Sequence, residues 1–126
     1  MCGLTGIFSK TELNQDTIEQ MTYAVAHRGP DAQGIFLDKA HSIALGHRRL
    51  SVLDLSTAAN QPMHSADGRY VIVFNGEIYN FKKLRSDLEQ EGCTFKTTSD
   101  TEVLLASFHR WGIGKMVDAL EGMFVF

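Results

Sequence analysis

The sequence predicts an α+β domain, and three observations predict it. Gly34–Asp38 and Ser42–Arg48 read as two strands joined by a tight turn, an antiparallel hairpin. Tyr70–Phe74 is apolar at every position, which suits a strand covered on both faces. Two later stretches, opened by Asn80 and by Ser99, carry apolar residues at helical spacing.

Taken in order, Met1–Phe8 is a short strand, bulky at Leu4, Ile7 and Phe8, with Gly3 and Gly6 leaving room for close backbone approach. From Asp16 the pattern turns helical through Ile18, Met21 and Val25, and the spacing Asp16-x-x-Glu19 supplies an N-cap and its reciprocal partner. Ala26–Asp31 breaks this helix, because Pro30 biases Gly29 away from helical geometry. The hairpin turns near Lys39-Ala40, with Ile43, Leu45 and His47 on one face of its second strand and Ala44, Gly46 and Arg48 on the other. Asp54–Asp67 is polar and turn-rich, a long connection with room for a brief turn of helix.

After the Tyr70–Phe74 strand, Asn80 caps a helix whose buried stripe is Phe81, Leu84 and Leu88, ended by Gly92. Ser99-x-x-Glu102 boxes a second helix with Leu104, Phe108 and Trp111 inward, ended by Gly112. A short helix over Lys115–Ala119 and a strand at Gly122–Phe126 complete the order. The final strand is still running at the last residue, so the domain is expected to be truncated at its C-terminus.

Composition narrows the function classes. With 126 residues, 44% of them hydrophobic, the chain is expected to build one core and hardly two. Lys and Arg total 12 against 15 for Asp and Glu, without the basic excess of a phosphate-backbone binder, so nucleic acid is not an expected partner. No apolar run approaches the roughly 18 residues of a membrane span and no secretory n-region precedes an apolar stretch, so a cytoplasmic chain is expected, with no membrane partner. Two cysteines, Cys2 and Cys93, make no disulfide framework. Cys93, after Gly92, reads as a small buried hydrophobe.

If Met1 is removed, the Cys2 thiol and a free α-amine share one residue. Their ordinary pKa values, about 8.5 and about 7.7–8.0, let the amine take the thiol proton near neutral pH, so one residue is both nucleophile and base. Taken alone, Cys2 is more simply an incidental small residue.

Six ordered motifs give it context: Met1-Cys2-Gly3, His27-Arg28-Gly29-Pro30-Asp31, Gly46-His47-Arg48-Arg49-Leu50-Ser51, Asn75-Gly76-Glu77-Ile78-Tyr79-Asn80, Thr98-Ser99-Asp100-Thr101-Glu102 and Leu120-Glu121-Gly122-Met123-Phe124. In these the sequence resembles the class II, N-terminal-nucleophile glutamine amidotransferases, and within them the glutaminase half of glutamine-hydrolysing asparagine synthetases. The resemblance covers nearly the whole chain. It implies a four-layer αββα sandwich, of which residues 1–126 form the N-terminal portion of an amidotransferase domain, the synthetase domain lying outside this chain.

The implied reaction is attack of Cys2 on the side-chain amide of glutamine. The oxyanion would be held by the Asn75 side chain and the Gly76 N–H, donors fixed in advance on a rigid element. An Asn-Gly turn between two strands is the competing reading of those residues. For the substrate carboxylate the resemblance points to Arg49, a planar guanidinium suited to a two-pronged contact; Arg48 faces the other way and is solvated or structural. For the ammonium it points to Asp100 and Glu77, although Asp100 also reads as a first-turn acid complementing the helix dipole. The resemblance also implies a backbone contribution from Val52, which its side chain does not reveal.

His27, Arg28 and Asp31 fall in a motif resembling one that lies near the nucleophile, and an Arg–Asp pair holding its own loop is an equal reading. His41, His47, His64 and His109 show no zinc spacing, and no metal or cofactor is expected for the glutaminase part. ATP and magnesium are implied only for the synthetase domain. The implied partners are L-glutamine, that synthetase domain, and a second copy of the chain in a homodimer. Two rivals remain: an amidotransferase acting on a sugar or polysaccharide-precursor acceptor, and a non-catalytic interaction module that keeps the fold.

Overall fold

The computed structural model describes residues 1–52 and 54–126. Strand β1 (Gly3–Phe8), helix α1 (Gln15–Ala24) and strands β2 (Ala32–Asp38) and β3 (Ile43–Arg49) form the first part. Short strands β4 (Met63–His64) and β5 (Val71–Ile72) come next, then β6 (Asn75–Ile78), α2 (Phe81–Gln90), α3 (Asp100–Ala119) and β7 (Gly122–Val125). The ladders are antiparallel, in the orders β1-β3-β2, β4-β5 and β6-β7, so the α+β expectation holds. Among the described residues no helix is long and apolar enough to cross a membrane.

β3 is the central strand of its sheet, and its two faces do different work. Ala44 and Gly46 face α1. A Cβ at Gly46 would collide with the hydroxyls of Thr22 and Thr5, so only glycine lets the helix lie this close. Thr22 is fully buried there, with its hydroxyl donating to the Ile18 carbonyl at 2.7 Å and bonded to the Thr5 hydroxyl at 3.0 Å. The inward positions of α1 are therefore Ile18 and Thr22, and the expected Met21 is exposed. Its cap also shifts: Asn14 accepts from the Asp16 N–H at 2.9 Å, and Glu19 bonds Gln15 rather than reaching back to a cap.

From the other face of β3, His47 donates from Nε2 to the Phe74 carbonyl at 3.0 Å. The expectation of a single core is corrected. Leu13, Ile18 and Ala44 form one cluster under α1, while Phe74, Ile78, Leu84, Leu88, Val103, Leu104 and Met116 form another under α2 and α3. Polar side chains, His47, Arg49, Gln61 and Asp100 among them, are buried outside both.

The expected five-residue strand at Tyr70–Phe74 is also corrected. Only Val71 and Ile72 pair with a neighbour, and Val73 and Phe74 are buried without a ladder. The hairpin turn is longer than expected, occupying residues 39–42 with Ser42 at φ 55°. The 54–67 connection holds one turn of 3-10 helix at Thr57–Ala59, as its composition allowed, together with β4.

Asn80 makes no side-chain cap on α2; it donates to the Ala119 carbonyl at 2.9 Å and accepts from the Glu121 N–H at 3.2 Å, stapling the end of α3 to β7. Ser99 does cap α3, accepting from the Glu102 N–H at 3.3 Å. Glu102 reaches back past it to the Thr97 N–H at 2.7 Å. Gly112, at φ 77°, interrupts α3 where the sequence places a stop, and the helix resumes beyond it. Cys93 packs, partly buried, against the α2–α3 core as expected.

Candidate active site

Cys2 stands immediately before β1, paired through Gly3 with the C-terminal end of β3. Its Sγ accepts from the Leu50 N–H at 3.3 Å and lies 3.6 Å from the Leu50 carbonyl. Arg28 Nε donates to the Cys2 carbonyl at 2.9 Å. Asp31 accepts from the Ser51 N–H at 2.7 Å and donates its own N–H to the Arg49 carbonyl at 3.0 Å. The reading of an Arg28–Asp31 pair is thereby corrected: the two side chains tie two different segments beside the thiol. His27 is exposed in the 3-10 turn Ala26–Arg28 and makes no contact with the site.

Alternation along β3 sends neighbouring arginines in opposite directions. Arg48 bonds the Gly29 carbonyl at 3.0 Å and Gln33 at 2.7 Å, a structural role. Arg49 is buried, and its Nη1 donates to the Ser56 carbonyl and to Asn60 Oδ1, both at 2.7 Å, while Nη2 donates to the Asp54 carbonyl. Three of the five guanidinium donors therefore organise the loop beyond β3. The Asp54 side chain continues the link, accepting from the Thr98 N–H at 2.9 Å and hydroxyl at 3.0 Å. Hydrogen bonds from Ser56 and Thr98 hold the Asp54 carboxyl well below the usual carboxylate range.

Asn75 and Gly76 lie within β6, so the hairpin-turn reading is corrected: the pair sits in a ladder. A Cβ on Gly76 would come within 2.5 Å of Phe124 Cα, which restricts the position to glycine. Tyr79 N–H donates to the Glu121 carbonyl at 2.7 Å, and bonded pairs alternate along an antiparallel ladder. In the register Asn75↔Val125, Gly76↔Phe124 is accordingly a non-bonded pair. The Gly76 N–H thus points away from β7, on the side where the Ile78 N–H meets Asp100 Oδ2 at 3.2 Å.

Asp100 is buried at the start of α3. Burial pushes its carboxyl above the ordinary value and the Glu77 charge adds to the shift, against N–H donors from Ile78, Thr101 and Asp100 itself. His47 moves the other way. Burial lowers its pKa and the Arg49 charge adds to this, against the Phe74 carbonyl, so the imidazole is neutral with its proton on Nε2.

A cleft of about 410 Å³ brings these elements together, lined by Cys2, Arg49, Val52, Asn75, Gly76, Glu77 and Asp100, along with Met1, Asp54, Gln61, Thr101 and the β7 residues Met123–Val125. Every residue assigned from sequence to catalysis or substrate binding faces this cleft; His27, Arg28 and Asp31 do not line it. Sequence reasoning passed over Asp54, Gln61 and Thr101. Gln61 and Thr101 are buried polar residues joined at 3.2 Å, and no local pattern marks either. Among the described residues no three His, Cys, Asp or Glu side chains converge as a metal site would require.

A family model described as a glutamine amidotransferase domain matches residues 1–126. The chain is 44% identical over 131 residues to asparagine synthetase [glutamine-hydrolyzing] 1 of Bacillus subtilis, with all of this chain and 20% of that protein covered. It is 41% identical to asparagine synthetase [glutamine-hydrolyzing] 3 of the same organism, covering all of this chain and 21% of that one. A putative asparagine synthetase [glutamine-hydrolyzing] of Methanocaldococcus jannaschii is 39% identical, again across the whole chain and 27% of the relative. The chain thus spans between a fifth and a third of the length of these curated relatives.

Proposed function

The chain belongs to the glutamine amidotransferase family, and from that premise we propose that it hydrolyses the side-chain amide of glutamine, with Cys2 as nucleophile, to supply ammonia for the synthesis of asparagine from aspartate. The observation that carries this reading is the convergence of one thiol, one guanidinium, the Glu77 and Asp100 carboxylates and an Asn-Gly pair on a single cleft. A glutamine amide, carboxylate and ammonium need those partners at once.

Removal of Met1 frees the Cys2 α-amine, which takes the thiol proton as Sγ bonds to the amide carbon of glutamine. The carbonyl oxygen becomes an oxyanion, met by Asn75 Nδ2 and the Gly76 N–H. The amine returns its proton to the departing nitrogen, the C–N bond breaks, and ammonia leaves a γ-glutamyl thioester on Cys2. Water, giving a proton to the same amine, then attacks the thioester; Sγ departs and glutamate is released.

Arg49 keeps Nε–H and one Nη2 hydrogen for the substrate carboxylate after its three bonds to the loop. Glu77 and Asp100 share the ammonium, whose charge offsets the burial, and the lesser Glu77 repulsion, that hold the Asp100 carboxyl up. Val52 offers its backbone. We also read α1, the β1-β3-β2 sheet, the β6-β7 ladder and the α2–α3 pair as the successive layers of an αββα sandwich. The opposed faces of β3 support this reading, one against α1 and the other bonded to Phe74. The synthetase step, with its ATP and magnesium, would belong to a further domain of a longer protein.

The test is intact mass before and after incubation with a diazo-ketone glutamine analogue, which alkylates an activated thiol. Loss of Met1 and one adduct mapped to Cys2 is the expected result; a Met1-free chain that forms no adduct, or an adduct on Cys93 alone, overturns the assignment. A second expectation concerns Arg49→Lys. One ammonium cannot replace the fork toward substrate, so KM for glutamine rises about 10- to 100-fold in steady-state assays. The thermal midpoint also falls, because the Asp54 and Ser56 carbonyls lose their donors. An unchanged KM removes Arg49 from the site.

A further inference from the structure

Val73 and Phe74 fall between β5 and β6, so their backbone groups have no strand beside them although both residues are buried. Buried backbone N–H and C=O groups need partners. At Phe74 both partners are side chains. Gln61 Oε1 accepts from the Phe74 N–H at 2.5 Å, and His47 Nε2 donates to the Phe74 carbonyl at 3.0 Å. Gln61 Nε2 in turn donates to the Thr101 hydroxyl at 3.2 Å, next to Asp100 on α3. His47, Gln61 and Thr101 are 1%, 8% and 4% exposed.

The Phe74 carbonyl carbon is bonded to the Asn75 nitrogen. His47 therefore holds the Phe74–Asn75 peptide plane, from which Asn75 departs, and Gln61 holds the preceding Val73–Phe74 plane, so Phe74 is fixed on both sides of its Cα. We infer that His47 and Gln61 are positioning residues for the oxyanion hole, clamping the Phe74 backbone so that Asn75 Nδ2 stands where the tetrahedral oxyanion forms. This rests on the amidohydrolase reading above. Neither side chain touches a reacting atom, and His47, the one buried imidazole in the chain's described residues, finds its use here.

A donor aimed at the oxyanion acts in the transition state, so loosening it lowers kcat and leaves substrate binding alone. The experiment measures glutamate release from glutamine, with thermal melts, for the wild-type protein, His47→Leu, His47→Gln and Thr101→Val. His47→Leu removes the donor to Phe74 and is expected to lower kcat at least 10-fold with KM within about twofold. His47→Gln carries an N–H at similar reach and is expected to recover most of that loss. Thr101→Val keeps the side-chain shape and frees one end of Gln61, with an expected kcat loss of about threefold at constant KM; it stands as the test should His47→Leu fail to fold.

Folded variants with unchanged kcat overturn the clamp, as does KM rising in step with the kcat loss, or a Gln variant that recovers nothing. Wild-type protein, freed of Met1, that releases no glutamate overturns the amidohydrolase reading and the clamp with it. An active wild type beside equally active variants overturns the clamp alone.

Discussion

Cys2→Ala is expected to abolish glutamate release from glutamine, by on the order of 10³-fold or more, while leaving the fold intact. The effect is large because no second thiol can substitute: Cys93 packs against the α2–α3 core and does not line the cleft. The fold should survive because the hydrogen bonds of Sγ go to the Leu50 backbone alone, at 3.3 and 3.6 Å, and the Cys2 carbonyl that Arg28 holds is untouched. In a full-length protein that also makes asparagine, synthesis from added ammonia is expected to continue at its original rate, since ammonia bypasses the thioester. Equal loss of both rates would contradict the assignment of Cys2 as the glutaminase nucleophile. A normal glutamine rate in the variant would move the nucleophile elsewhere in the cleft.

The parts of this site legible in the sequence are those set by local rules. Strand alternation at Arg48 and Arg49 separates a structural arginine from a cleft arginine, and the structure keeps that separation. Ser99 caps α3 and so fixes Asp100 at its first turn. What was not legible depends on partners far along the chain. Gln61 meets Phe74 and Thr101, 13 and 40 positions away, and its own segment shows only turn chemistry.

The apolar run Tyr70–Phe74 reads as one continuous strand because periodicity records burial, not pairing. The ladder stops at Ile72, since side chains rather than a neighbouring strand meet Phe74. Thr22 failed the apolar pattern of α1 for a similar reason: its hydroxyl finds Ile18 and Thr5 inside the core, and Gly46 on another strand makes the room. Asn80 was legible as a cap by residue type, and its side chain instead joins Ala119 to Glu121, a contact that only the folded chain creates.

Asp100→Asn is expected to separate stability from binding in opposite directions. Burial, with Glu77 nearby, holds the Asp100 carboxyl above its ordinary value of 3.8 in the folded protein. Between that value and the raised one the folded state binds more protons than the unfolded state, so stability falls as pH rises through the interval. Above that interval the charge on Asp100 is consequently a standing cost in the absence of a cation. The amide removes the charge and keeps an oxygen for the Ile78 N–H, so the thermal midpoint at pH 7 rises by a few degrees, about 4 °C for each kcal/mol. Below the ordinary carboxylate range, where Asp100 is protonated in both states, the two proteins should melt together. Glutamine binding moves the other way: the ammonium loses its buried counter-charge and keeps only exposed Glu77, so KM rises on the order of 100-fold. Melts across the pH range, with and without glutamine, and steady-state kinetics read both effects. A variant less stable than wild type at pH 7 would make Asp100 a structural acid of the α3 first turn, and an unchanged KM would take the ammonium away from it. The expected combination, a stabler protein that binds glutamine poorly, is what a buried carboxylate reserved for a cation should produce.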